Sequence, residues 1–95
     1  MTPEGKVKKQ VKSILDALDI YHFSPATGGY GASGVPDIIA CFKGRFVAIE
    51  CKAGKNTVTL LQQRNLDQIN RAGGLAVVVN ESNIHDLGDI LKTLV

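Results

Sequence analysis

The spacing of apolar residues along the chain predicts three helices. Thr2 and Pro3 are typical of a helix start, and apolar residues recur at every third or fourth position after them. A second helix is predicted with Thr59 as its N-cap and Gln62 in the capping-box position, and a third begins near Ser82. The predicted buried residues of the three helices are Val7, Val11, Ile14, Leu15 and Leu18; Leu66 and Ile69; and Ile84, Leu87, Leu91 and Leu94.

Four segments between these helices have the pattern of strands: residues 21–23, 37–42, 45–52 and 75–79. Lys43-Gly44 is the expected turn of a hairpin between the second and third strands. The fourth segment is apolar at every position, so we expect a central strand that is buried on both faces. The order α-β-β-β-α-β-α predicts an α/β domain with one mixed sheet flanked by helices.

Composition restricts the class of protein. The 95 residues, with 44% hydrophobic and 21% charged positions, suit a single globular domain over residues 1–95. The longest uninterrupted apolar run spans residues 75–79, and no apolar stretch follows the N-terminal lysines. We therefore expect neither a membrane protein nor a secreted one. Cys41 and Cys51 form no CxxC pair and fall on opposite faces of the predicted hairpin, which favours a reducing cytoplasm.

The net charge of +2 hides an uneven distribution of cationic residues. Residues 43–64 carry five cations and one acid. This segment is expected to face a polyanion, although a solvated basic face explains the same charges. The candidate phosphate contacts are Lys43, Arg45, Lys55 and Arg64, whose charges would attract such a polyanion without reading a sequence.

The hairpin places two carboxylates together. With a two-residue turn, Phe42 faces Arg45, and the same count puts Asp37 directly opposite Glu50. Lys52 then lies on the same face as Glu50. Opposed carboxylates destabilise a sheet unless a cation lies between them, and hard oxygen ligands suit Mg²⁺ or Mn²⁺. A bulge in the hairpin would shift the register by one residue.

A Glu-x-Lys tripeptide alone is ordinary edge-strand patterning, and its context makes it informative. Pro36-Asp37 is followed after 12 residues by Glu50-Cys51-Lys52, within an apolar strand. The chain resembles the PD-(D/E)xK nucleases, and among them the VRR-NUC (virus-type replication–repair nuclease) family. The residues that carry the resemblance, over roughly residues 1–90, are Glu4, Gly34-Val35-Pro36-Asp37, Ile49-Glu50-Cys51-Lys52, Thr59-Leu60-Leu61-Gln62 and Gly73-Gly74.

The resemblance implies a restriction-endonuclease-like core and a role for each matching residue. Asp37 and Glu50 would hold the metal, with the Cys51 backbone carbonyl and Glu4 as further ligands. Lys52 would orient the attacking water or neutralise the phosphate. Glu4 would be a metal-side or water-positioning carboxylate, and Gln62 would act near Lys52. Without the family, Glu4 is equally an acid favoured by the helix dipole, and Gln62 equally a capping residue.

The remaining polar residues give weaker evidence of function than the residues that match the family. His22 and His85 have no partners at metal-ligand spacing. The glycine-rich residues 25–36 match neither a dinucleotide-binding nor a phosphate-binding loop, so we expect no organic cofactor. Within that loop, Tyr30 could stack on an unpaired base or simply pack against the loop, and Ser33 is a further candidate nucleic-acid contact.

The sequence therefore predicts a metal-dependent DNA endonuclease. A domain this small offers little surface for DNA, so a C2 homodimer is expected, and similarity to stand-alone phage-type resolvases favours branched DNA such as four-way junctions. One alternative is a nucleic-acid-binding module of the same fold without catalysis. Another is a nonenzymatic interaction domain of a phage or mobile element.

Overall fold

A computed structural model describes residues 1–26 and 34–94 of the chain. The described elements follow the order α1 (Pro3–Ala17), β1 (Tyr21–Phe23), β2 (Ile38–Phe42), β3 (Arg45–Cys51), α2 (Leu60–Arg71), β4 (Leu75–Val79) and α3 (Leu87–Lys92). A single 3₁₀ turn, Ile84–Asp86, precedes α3. The predicted α/β class and the order α-β-β-β-α-β-α are confirmed. No helix within the described ranges is long and apolar enough to span a bilayer.

The four strands form one mixed sheet in the order β1-β2-β3-β4. β1 and β2 are antiparallel, as are β2 and β3, whereas β4 runs parallel to β3. α2 makes the crossover that a parallel pair requires, since parallel strands cannot be joined by a tight turn. The predicted hairpin register is confirmed from the Phe42–Arg45 pair to the Ile38–Ile49 pair.

The hairpin turn holds this register without a bulge. Lys43 has φ 53° and Gly44 has φ 80°, so both turn residues are left-handed, as a type I′ turn requires. A type I′ turn matches the twist of the strands on either side of it, which is why a two-residue turn forms here. Lys43 adopts a conformation that asparagine or glycine would adopt more readily.

The two faces of the sheet are covered by different helices. α1 and α3 bury the face that holds the odd-numbered residues of β3, and the fully buried Leu15, Ile49, Leu87 and Leu91 belong to this core. α2 lies on the other face, where Ile69 comes close to Phe46 and Gly74. Glu50 and Lys52 therefore belong to the α2 face, and Cys51 points into the core.

Two expectations about this core were wrong. Leu75–Val79 is an edge strand of the described sheet, paired only with β3, and all but the last of its residues are half-buried. Apolar residues at every position of a strand indicate that both of its faces are covered. They do not indicate whether both of its edges are hydrogen-bonded to neighbouring strands. Leu18 is exposed because α1 ends at Ala17 and the chain turns towards β1 there.

Candidate active site

Asp37 and Glu50 lie close together at the open end of the β2–β3 hairpin, opposite its turn. Asp37 directly precedes β2, and its Oδ2 accepts a hydrogen bond of 2.9 Å from the backbone N–H of Cys51. Glu50 lies within β3 and is only 2% exposed. The negative charge of Asp37 acts on Glu50, as it does only when two carboxyl groups lie near one another. The structure thus brings together the pair that the hairpin count predicts.

The environment of Glu50 disfavours its charged form. Burial, and secondly the negative charge of Asp37, raise the pKa of Glu50 from 4.5 to about 7, and the hydrogen bond with Asp37 acts in the same direction. The Lys52 charge lowers the pKa of Glu50, and the charge of Glu4 raises it slightly. Near pH 7 Glu50 is therefore in equilibrium between its protonated and ionised forms, and a cation beside it would favour the ionised form.

Lys52 lies beside Glu50, as the Glu-x-Lys spacing predicts. Its Nζ is 3.6 Å from Oε2 of Glu50, and the residue is 9% exposed. The backbone N–H of Lys52 donates to the carbonyl of Val79, which fixes the chain where β3 ends. A lysine this buried is normally paired, and here its partner is the buried carboxylate.

Gln62 serves both as a helix cap and as a site residue. Its side-chain Oε1 accepts from the backbone N–H of Thr59 at 2.9 Å, while Thr59 Oγ1 accepts from the N–H of Gln62 at 3.2 Å. This is the predicted capping box. The Nε2 group of the same side chain donates to Oε2 of Glu50 at 3.2 Å. The cap therefore aims the amide at the carboxylate.

Gly34 sets the position of α2 relative to Asp37. Its φ is +82°, and a Cβ at this residue would lie 2.6 Å from the carbonyl carbon of Leu61 and 2.8 Å from the backbone nitrogen of Gln62. Only glycine permits this approach. The Gly34-to-Asp37 segment therefore packs directly on the first turn of α2, which is where Gln62 lies.

α1 contributes two charged residues to this end of the sheet. Glu4 is half-buried, and its charge acts on Glu50. Lys8, one turn further along α1, places its Nζ 3.5 Å from Oδ1 of Asp37. Sequence reasoning missed Lys8 because α1 carries several lysines and none is distinguished by its neighbours. The one feature of the sequence that could have indicated Lys8 was its i, i+4 spacing from Glu4, which places both residues on the same side of α1.

The candidate phosphate contacts are not gathered at this site. Lys43 and Arg45 lie at the turn end of the hairpin, about 17 Å along β3 from Glu50, and Arg45 Nη2 donates to the carbonyl of Gly73 at 3.0 Å. Lys55 lines a cleft of about 560 Å³ beside Glu4. Arg64 is exposed on α2.

The other candidates lie outside the described residues, in other parts of the fold or, for the Cys51 side chain, in the core. Tyr30 and Ser33 lie outside the described residues. His22 is bonded to the Asp16 carboxylate, with Nε2 2.6 Å from Oδ1, and His85 lies in the 3₁₀ turn. Both cysteines are free, and burial raises the pKa of the Cys51 thiol to about 12, with the charges of Asp37 and Glu50 adding to the effect. The Cys51 side chain is therefore a neutral core residue at physiological pH.

The residues present fit a hard divalent cation. Among the described residues, no three or more side chains of His, Cys, Asp or Glu form a metal-holding group. The donor set is instead the Asp37 and Glu50 carboxylates with backbone carbonyl oxygen, to which Mg²⁺ adds water as its remaining ligands. The buried Glu50 carboxyl, whose pKa is raised beside Asp37, is the observation that favours a cation here.

No protein-family model matches the chain, and no curated protein matches it.

Proposed function

We propose that the protein is a divalent-metal-dependent endonuclease that hydrolyses phosphodiester bonds in DNA. The observation that supports this most is the close placement of Asp37, Glu50 and Lys52, two acids and a lysine that are each largely buried. Lys8 and Lys52 each pair with one of the two acids, yet Glu50 is buried beside Asp37, and close carboxylates destabilise a fold that holds no cation between them.

In this proposal Asp37 and Glu50 hold Mg²⁺ or Mn²⁺, with the Cys51 backbone carbonyl as a third ligand and Glu4 at the edge of the site. When bound, the metal supplies positive charge that neutralises the phosphate and makes water a better nucleophile. The Cys51 N–H fixes the orientation of Asp37, and the Gln62 amide fixes that of Glu50.

Lys52 is the residue that acts on the reacting groups. Its ammonium is a compact charge with three donors, which suits it to orient the attacking water or to bind a phosphate oxygen as negative charge develops there. Since Lys52 Nζ is 3.6 Å from Oε2 of Glu50, little rearrangement would be needed to place it beside a phosphate bound at this end of the sheet. Desolvation of the site strengthens this interaction.

We propose branched DNA as the substrate and the cytoplasm as the compartment, in keeping with the two free cysteines. Lys55, in the cleft beside Glu4, would contact a neighbouring phosphate, and the exposed Arg64 on α2 would contact the backbone further from the site. Because Lys43 and Arg45 lie at the far end of the hairpin, they would reach the DNA backbone further along the duplex or bind a second arm of a junction.

The working form is proposed to be a homodimer that pairs through an uncovered part of the sheet. On the α2 face, Tyr21 lies opposite Cys41 and Cys41 opposite Phe46, and both aromatic residues are exposed, Tyr21 by 73%. With Phe23, whose ring centroid is 6.3 Å from that of Tyr21, they expose about 350 Å² of aromatic surface. That is most of the apolar area on one side of a standard interface.

Sedimentation of Tyr21→Ser tests this surface. We expect the wild-type protein to be a dimer at micromolar concentration and Tyr21→Ser to be monomeric. Leu60→Ser is the matched control, because Leu60 is as exposed as Tyr21 but lies on α2. A monomeric wild-type protein, or equal dissociation of both variants, would contradict the interface.

The first experiment on the activity compares end-labelled four-way junction, splayed-arm and duplex DNA in Mg²⁺, Mn²⁺ or EDTA. We expect metal-dependent incision that is lost in Lys52→Ala and retained in Lys92→Ala, an exposed lysine on α3. Cleavage by Lys52→Ala would identify a contaminant. A folded wild-type protein that binds the junction but cuts nothing would instead be the noncatalytic binding module.

A further inference from the structure

α1 places a second ammonium group at the carboxylate pair. Lys8 Nζ is 3.5 Å from Oδ1 of Asp37, and the other oxygen of this carboxylate accepts from the N–H of Cys51. Lys52 lies instead on Oε2 of Glu50. The two acids are thus flanked by two lysines from different elements, one beside each carboxylate.

Lys8 differs from Lys52 in its exposure. The Lys8 side chain is 36% exposed, whereas that of Lys52 is 11% exposed. Its ion pair with Asp37 is long for a charge-assisted hydrogen bond, so the geometry of the ammonium is loosely held. The position of α1 is fixed independently of Lys8, because Val7, Val11 and Leu15 anchor it in the core.

Lys8 is also distinguished from its neighbours on the helix. Lys6 and Lys9 are exposed, and among the α1 lysines in the described residues it is Lys8 that pairs with a carboxylate of the site. Its charge is felt as far as Cys51, where it favours the ionised thiol against the effect of burial. Lys8 therefore faces the hairpin end rather than open solvent.

We propose that Lys8 is a phosphate-binding residue of this site, which rests on the proposed nuclease function. In the absence of DNA the Lys8 ammonium forms a loose ion pair with Asp37. With Asp37 engaged as a metal ligand, Lys8 would be free to leave this pair, and its flexible stem would let it reach a non-bridging oxygen of the DNA backbone. Lys8 would bind the DNA strand from the side of α1, while Lys52 would act from the side of the sheet.

The test measures binding of four-way junction DNA to Lys8→Gln in Ca²⁺ as a function of salt. Losing one phosphate contact should weaken binding about eightfold at 0.1 M salt and reduce the slope of log K against log salt by about 0.9. Lys9→Gln is the matched control, because it removes the same charge from the adjacent, exposed position and should leave both quantities near the wild-type values. Lys8→Arg should restore binding.

A purely structural role gives a different result. If Lys8 only orients Asp37, then Lys8→Gln should weaken Mn²⁺ binding measured by calorimetry without DNA, and lower kcat with an unchanged salt slope. We expect Mn²⁺ affinity to be equal or higher in Lys8→Gln, because a competing cation has been removed, and KM to rise.

The two proposals fail separately. A wild-type protein that neither binds nor cuts DNA would overturn the nuclease. If the wild-type protein binds and cuts DNA, equal behaviour of Lys8→Gln and Lys9→Gln overturns the role of Lys8 alone. Thermal unfolding of each variant shows whether it is folded. If Lys8→Gln is not folded, the same comparison is made with Lys8→Met. This variant keeps the apolar stem of the side chain and removes its charge.

Discussion

Replacing Glu50 by glutamine should stabilise the metal-free protein at alkaline pH. Burial and the Asp37 charge raise the pKa of Glu50 from 4.5 to about 7. Below pH 4.5 the group is protonated in both the folded and unfolded chain and contributes nothing. Between these values the folded state holds more protons than the unfolded state, so the free energy of unfolding falls as pH rises. Above pH 7 the full loss, about 3 kcal/mol, has developed.

Urea titration followed by far-ultraviolet circular dichroism, in EDTA from pH 4.5 to pH 8, measures this loss. The difference between wild type and Glu50→Gln reports the titration of Glu50 together with its coupling to Asp37, Lys52 and Glu4, since the remaining titrating residues are common to both. We expect the two proteins to be equally stable near pH 4.5 and Glu50→Gln to be more stable by up to about 3 kcal/mol at pH 8. With m near ~1 kcal/mol/M, the urea midpoints would separate by about 3 M. Asp89→Asn, at an exposed acid of α3, should show no such divergence.

Mg²⁺ provides the converse measurement. At pH 8 it should stabilise the wild-type protein by binding the folded state, and stabilise Glu50→Gln far less. If the stability difference between the two proteins does not change with pH, the ionised Glu50 carboxylate does not destabilise the folded state, and this reasoning is refuted. Equal stabilisation of both by Mg²⁺ would refute its role as a ligand.

Four further substitutions test the geometry of the turn, the site and the start of α2. Gly34→Ala should cost roughly 2 kcal/mol or more and abolish activity, whereas Gly44→Ala, with a similar φ but no atom within 4 Å of the added Cβ, should cost only about 1 kcal/mol in urea titrations. Lys43→Asn should stabilise the fold by about 0.5–1 kcal/mol in the same assay, because asparagine tolerates positive φ. Gln62→Glu keeps the capping acceptor but sets a carboxylate against Glu50, so cleavage should fall while stability at pH 5 changes little. A fully active Gln62→Glu would show that the residue only caps α2.

The sequence was most informative where local geometry determines position. A two-residue turn leaves one register for the hairpin, so the encounter of Asp37 with Glu50 could be counted from the turn. Likewise, Gln62 in the capping-box position had to lie in the first turn of α2. These features depend on residues within a few positions of one another or of the turn, for which sequence spacing is a reliable measure of distance.

Features that depend on packing between distant segments were not predictable. The cations of residues 43–64 are neighbours in sequence, yet the hairpin carries Arg45 away from Glu50 and towards Gly73. Lys8 is remote in sequence from Asp37 and reaches it only because α1 packs across the sheet. The edge position of β4 depends on which strands pair, which its own hydrophobicity does not encode.

The charges at the site explain why the residues that destabilise the fold are also those proposed to bind a cation. Three acids, Glu4, Asp37 and Glu50, approach two lysines at one end of the sheet, and burial then raises the pKa of Glu50 to about 7. The metal-free site therefore relieves its excess negative charge by retaining a proton near neutral pH. A divalent cation would replace that proton and supply more positive charge than the proton does, which leaves Lys8 and Lys52 free to interact with a phosphate. The acid pair that weakens the empty fold is thus the feature that would draw a cation, and then DNA, to this end of the sheet.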